Sequence, residues 1–128
     1  MIGLPVLLIH WLWAQRLAAA DPEHDWMALV DTSYEVLFEA SSAAFGDEAP
    51  AGLPPDWIGL DRESGAVMPI ELGDRDTLNY GYDAARTYWR VALDLRWWGD
   101  GRAEAYLGGA GFLRDEVARK GSVSAIYS

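Results

Sequence analysis

Residues 46–79 hold five glycines and four prolines, Pro54-Pro55 among them, and lie between two stretches with helical spacing. Glycine costs a helix interior about 1 kcal/mol and proline about 3, so no helix runs through this segment. Apolar and polar residues alternate only weakly across it, which gives no signal for a long strand. The chain is therefore divided into a helical part, an irregular connection with at most a short extended or helical piece, and a second helical part. A connection this long inside a compact domain is uncommon and usually functional. The total of 128 residues suits one domain,.

On the N-terminal side, residues 22–44 read as a helix. Trp26, Val30, Ser33, Leu37 and Ala40 recur at helical spacing, while Glu23, Asp31, Glu35 and Glu39 take other faces,. Asp21-Pro22 supplies an N-cap and a first-turn proline for it. On the far side a helix is expected over 83–98, with Trp89, Leu93 and Trp97 in one stripe and Gly99 to end it,. Asp100 then caps a further helix with Tyr106, Ala110, Leu113 and Val117 on one face. Gly108, Gly109 and Gly111 within it point to close helix packing or a local break. Residues 122–128 are β-prone. No strand alternates with these helices and no internal repeat is visible, so the predicted class is all-α, built of antiparallel helical hairpins.

Residues 2–13 are almost wholly apolar, and Ala18-Ala19-Ala20 precedes Asp21. The pattern resembles a signal peptide, but no Lys or Arg precedes the run, and His10 and Arg16 interrupt it. It is shorter than the roughly 20 apolar residues of a membrane span. A buried first helix is the preferred reading, with the signal peptide as its alternative.

Net charge excludes several functions. Twenty acidic against ten basic residues give −10, which disfavours nucleic acid and anionic membrane surfaces as partners. No cysteine is present, so thiolate nucleophiles and Cys-ligated zinc are excluded,. His10 and His24 lack a carboxylate at ligand spacing with both, and no metal or other cofactor is expected. Gly108-Gly109-Ala110-Gly111 imitates a phosphate loop without the preceding strand or the following Lys-Ser/Thr. No Gly-x-Ser-x-Gly elbow is present. Seven Trp, six Tyr and three Phe require either a wide aromatic core or a groove lined with rings.

One segment survives as a candidate site: Tyr80-Gly81-Tyr82-Asp83-Ala84-Ala85-Arg86-Thr87-Tyr88-Trp89-Arg90. Asp83 falls at or just before a helix's first turn, where the partial positive charge of the helix end favours a carboxylate. Arg86 and Arg90 follow at i+3 and i+7 on the same face. A carboxylate oriented by a guanidinium suits a general base acting on water, with Tyr80 and Tyr82 adding hydroxyls and ring faces. The same spacing also fits an N-cap with an exposed ion pair worth a few tenths of a kcal/mol. Both readings stand on the residues alone.

The run Tyr82-Asp83-Ala84-Ala85-Arg86-x-x-Trp89-Arg90-x-Ala92-x-Asp94, followed by Trp98-Gly99-Asp100-x-Arg102-Ala103, resembles the C-terminal part of glycoside hydrolase family 8. That family contains endo-β-1,4-glucanases together with xylanase, chitosanase and lichenase members. Asp25-Trp26 and, after it, Gly52-Leu53-Pro54-Pro55-Asp56-Trp57 match in the family's order. The resemblance covers residues 18–114 and makes the chain, 1–128, a single partial catalytic domain.

The resemblance implies part of an (α/α)6 barrel and inverting hydrolysis of β-1,4-linked glucan, in which an acid and a base stand about 6.5–9.5 Å apart. It implies Asp83 as base and Tyr82 and Arg86 as substrate-contacting neighbours, and it offers Trp57 as a ring for sugar stacking, with core packing as the alternative. Trp89, Trp97 and Trp98 fit either stacking or the core. The family's general acid is a Glu from the N-terminal half, for which Glu71 is only the nearest residue here. The expectations are a β-glucan oligosaccharide or polysaccharide partner, a secreted or periplasmic parent, a fragment inactive on its own, and self-association through exposed apolar helix faces; the alternatives are a non-catalytic carbohydrate-binding remnant and a helical interaction domain.

Overall fold

The computed structural model describes residues 2–5, 11–45, 52–73 and 76–127. Among them the order of elements is β1 (Ile2–Pro5), α1 (Trp11–Ala20), α2 (Trp26–Ser42), β2 (Trp57–Leu60), β3 (Val67–Met68), α3 (Tyr82–Trp98), α4 (Gly101–Gly109) and α5 (Gly111–Lys120). Helices dominate, α1 packing along α2 and α3 along α4. No helix among the described residues is long and apolar enough to cross a membrane.

The helical class expected from the sequence holds for most of the described residues, with a small sheet added to it. The three strands make an antiparallel sheet in the order β1-β2-β3, with Pro5 opposite Trp57 and Gly59 opposite Met68. β2 and β3 are the extended piece allowed for in the Gly/Pro-rich connection. They escape an alternation test because they are four and two residues long, and β2 buries Ile58 and Gly59 in succession. The β2–β3 turn is set by Asp61, whose carboxylate accepts from the N–H of Glu63 and Ser64 at 3.1 and 2.8 Å. Those bonds hold the Asp61 carboxyl below its ordinary range, the Ser64 backbone bond contributing most,.

The apolar start also differs from a helix over 2–13. Residues 2–5 are a strand, α1 begins at Trp11, and residues 6–10, His10 included, lie outside the described residues. Gly3 and Pro5 disfavour helix, and a proline is tolerated on a sheet's edge strand. Asp21-Pro22 does not open α2. The carboxylate of Asp21 instead organises the α1–α2 turn, contacting His24 Nδ1 at 2.8 Å and accepting from Glu23 N–H and Trp26 Nε1 at 3.3 and 3.2 Å. Asp25 is the N-cap, accepting from Ala28 N–H at 3.0 Å.

α2 buries Val30, Ser33, Tyr34, Leu37, Ala40 and Ser41, the expected face. α3 ends as expected at Gly99, whose φ of 65° needs glycine,. Its inward stripe, however, is Ala84, Thr87, Val91 and Asp94. The Trp89–Leu93–Trp97 stripe turns outward, with Trp89 63% and Trp97 58% exposed. Small residues on the buried face allow close approach of the neighbouring helices; the indoles would not fit there. The helix capped by Asp100 breaks at Ala110, between Gly109 and Gly111, so Val117 does not continue the buried face of Tyr106.

One core joins Ala14, Val30, Tyr34, Leu37, Ala40, Ile58, Val91, Ala103 and Tyr106. A polar network crosses it. The buried Asp94 of α3 accepts from Gln15 Nε2 of α1 at 2.7 Å and from the Tyr34 hydroxyl of α2. The Arg102 guanidinium of α4 lies 5.0 Å from the Tyr34 ring centroid and pairs with Asp31 and Asp100. Burial, then the bond to Asp94, pushes the Tyr34 hydroxyl far up. Three helices thus meet at one buried carboxylate, which must be hydrogen-bonded to be tolerated there, and α4 joins them through Arg102 against the Tyr34 ring,.

Candidate functional site

The start of α3 is assembled from three separate segments. Gly81 is its N-cap and has no side chain to cap with. The oxygen that serves is Oδ1 of Asp56, just before β2, which accepts from the N–H of Gly81 at 3.0 Å and of Ala84 at 2.7 Å. The backbone of residues 77–81 runs beside residues 56–57, with Asp56 N–H donating to Asn79 O at 2.7 Å and Trp57 N–H to Thr77 O at 3.2 Å. On its other side Tyr80 exchanges two backbone bonds of 2.9 Å with Tyr127. The β-prone tail is therefore a single bridge against the entrance to α3.

Tyr82 and Asp83 are the first two residues of this helix. Tyr82 is 71% exposed. Arg86 Nη1 donates to Asp83 Oδ1 at 2.8 Å, with the Asp83 side chain 33% exposed. The predicted Asp83–Arg86 pair is therefore formed, with its carboxylate open to solvent. A pair this exposed contributes little to stability. Trp57 is half-buried in β2, next in sequence to the Asp56 that binds the helix start, so the β2 entrance and the α3 entrance form one region. Glu71 is exposed in the connection from β3 to α3.

Beside the site, Tyr88 meets Tyr80 edge-to-face and Tyr106 at a tilt, at centroid separations of 6.1 and 5.5 Å, and Tyr80 meets Tyr127 at 6.0 Å. Burial is the main cause that raises all three core hydroxyls above the ordinary tyrosine value. Tyr88 donates to Gly52 O at 3.2 Å and Tyr106 shares a 2.8 Å bond with Ser41. These rings support the site and are unsuited to acid–base work near neutral pH. Trp89, Trp97 and Trp98 are exposed, so the core option for them is corrected; Trp26 is half-buried and bonded to Asp21.

Asp56 has no role in a reading of motifs. Its signal was present in Pro54-Pro55-Asp56-Trp57, but the helix it serves begins far along the chain, and spacing rules for caps look only within a helix's own first turn.

No family model matches the chain. Over 93 residues, 73% of its length, it is 32% identical to Endoglucanase A of Acetivibrio thermocellus, and that match spans 17% of the relative. Among solved structures it resembles the apo β-1,3-1,4-glucanase from Paenibacillus sp. X4, with a TM-score of 0.76 and 20% identity. That likeness covers 98% of this chain and 33% of the other, so the fold described above is the fold of about a third of that chain.

Proposed function

We propose that this chain is one part of a glucan-degrading glycoside hydrolase and contributes the general base of an inverting reaction, as family 8 would have it. The observation that carries this reading is the Tyr82-Asp83-x-x-Arg86 turn: a solvent-facing carboxylate held 2.8 Å from a guanidinium at a helix start, in a chain similar to two glucanases. Asp83 takes the proton from the water that attacks the anomeric carbon, and Arg86 keeps the carboxylate aimed. Tyr82 and Trp57 offer ring faces to the sugar, whose apolar faces stack on aromatics. The acid that protonates the leaving oxygen comes from the rest of an (α/α)6 barrel, of which this chain forms a segment; Glu71 is not assigned to it. The parent protein is read as secreted or periplasmic, and the 128-residue chain alone as having negligible activity.

In the complete hydrolase that contains this segment, Asp83→Asn is expected to lower kcat by about 10²–10⁴-fold. Unchanged glucan hydrolysis in that variant would remove Asp83 from the mechanism. Oligosaccharide binding without hydrolysis is the second reading, and it rests on a different observation, the outward rings of Tyr82, Trp89 and Trp97 on α3. It predicts a sugar-induced change in Trp fluorescence and no release of reducing ends, even in the complete protein.

A further inference from the structure

We infer that Asp56 is a positioning residue for Asp83, fixing the first turn of α3 from outside the helix; the inference rests on the reading of Asp83 as base. α2 and α4 are capped by the residue at their own start, Asp25 and Asp100. α3 instead takes its cap from 25 residues earlier, one oxygen of Asp56 accepting from both Gly81 and Ala84. The difference has a geometric meaning. A local cap keeps a turn helical wherever the helix happens to lie, whereas a cap from another segment also decides where the turn sits.

Asp56 is itself fixed. Its N–H and that of Trp57 bond to Asn79 and Thr77, and Ile58, two residues on, is in the core. The carboxylate is seated against the backbone of Gly81 so closely that a Cβ there would lie 2.5 Å from Asp56 Oδ2. The φ of Gly81 is −138°, so approach of the carboxylate, not backbone conformation, requires glycine. Tyr82 and Asp83, with Arg86 one turn on, are thereby tied to the segment that carries Trp57. The backbone segments that carry Asp83 and Trp57 hold a fixed relation through Asp56.

The test is 15N NMR of the 128-residue chain, which needs no turnover. In Asp56→Ala, amide-exchange protection at Gly81 and Ala84 is expected to fall at least tenfold, and the Arg86 guanidinium signals to move toward those of free arginine. Asp56→Asn retains the oxygen acceptor and is expected to restore the Arg86 signals. Asp25→Ala removes a cap of the same kind from α2 and should leave them at their wild-type positions. Unmoved Arg86 signals in Asp56→Ala overturn the inference, as does an equal displacement in Asp25→Ala. Should Asp56→Ala not fold, Asp56→Glu takes its place: one methylene too many for the gap at Gly81 must displace the Arg86 signals, and their staying put is a refutation. Titrating wild type with a β-glucan oligosaccharide separates the two proposals. Absence of any Trp response counts against the sugar site and leaves the NMR result standing.

Discussion

Replacing Tyr34 by Phe removes one hydroxyl and keeps the ring. The hydroxyl donates to Asp94, a carboxylate with no exposed surface that also accepts from Gln15 Nε2 at 2.7 Å. The substituted ring would still fill its place in the core and still lie beneath Arg102, 5.0 Å from the present centroid, so the lost energy is that of the bond. A hydrogen bond to a charged group contributes about 1.5–3 kcal/mol, against about 0.5–1.5 for a neutral one. Tyr106→Phe is the internal comparison, since its hydroxyl is likewise buried but meets neutral partners alone among its described bonds, Ser41 at 2.8 Å and Tyr88. For a chain of this size, Tyr34→Phe should lower Tm by about 5–12 °C. Urea unfolding of both variants at pH 7 measures the difference, with m unchanged so that the midpoint reports stability. If Tyr34→Phe costs no more than Tyr106→Phe, the claim that Asp94 depends on its donors is refuted.

Three further outcomes follow from other features. The Asp100 carboxyl is held below the ordinary range chiefly by its bond from Arg102; its stabilisation is complete above the unfolded value of about 3.9 and is lost as pH falls through the lower folded value, so Asp100→Asn should flatten the acid limb of a stability–pH curve measured by denaturation. Gly81→Ala should destabilise by about 1–3 kcal/mol through overlap with Asp56, whereas Gly108→Ala, in helix α4 with open space around it, should stabilise by up to about 1 kcal/mol, both read from urea midpoints. The outward Trp13, Leu17, Met27 and Leu29 on α1 and α2, with Trp89 and Trp97 on α3, predict concentration-dependent association in sedimentation velocity; a monomer throughout would count against it.

Helix positions were legible where one face is strongly apolar and the end signals are local. α2 shows this in Val30, Leu37 and Ala40, and α3 in the stop at Gly99. The buried face of α3 was not legible, because Ala84, Thr87 and Asp94 carry less hydrophobicity than the tryptophans that point away. The sheet was hidden because each strand is held by its partners rather than by its own alternation: β1 gains its pairing from a segment beyond α2. Asp83 with Arg86 could be read from helical spacing, since both lie on one turn. Asp56 could not, because its role exists only after residues 56 and 81 are brought together.

The two long-range closures at the α3 entrance, Asp56 to Gly81 and Tyr80 to Tyr127, also bear on the order of folding. The hairpins α1–α2 and α3–α4 form from neighbours in sequence and close short loops, whereas these closures must span the β2–β3 segment or the whole of α3 to α5. Non-local contacts carry the larger entropic cost and come later. A refolding chain should therefore regain most of its circular dichroism before the first turn of α3 is locked. Helical content is accordingly a poor measure of whether the Asp83 region has been assembled; protection of the Gly81 amide is the more direct one.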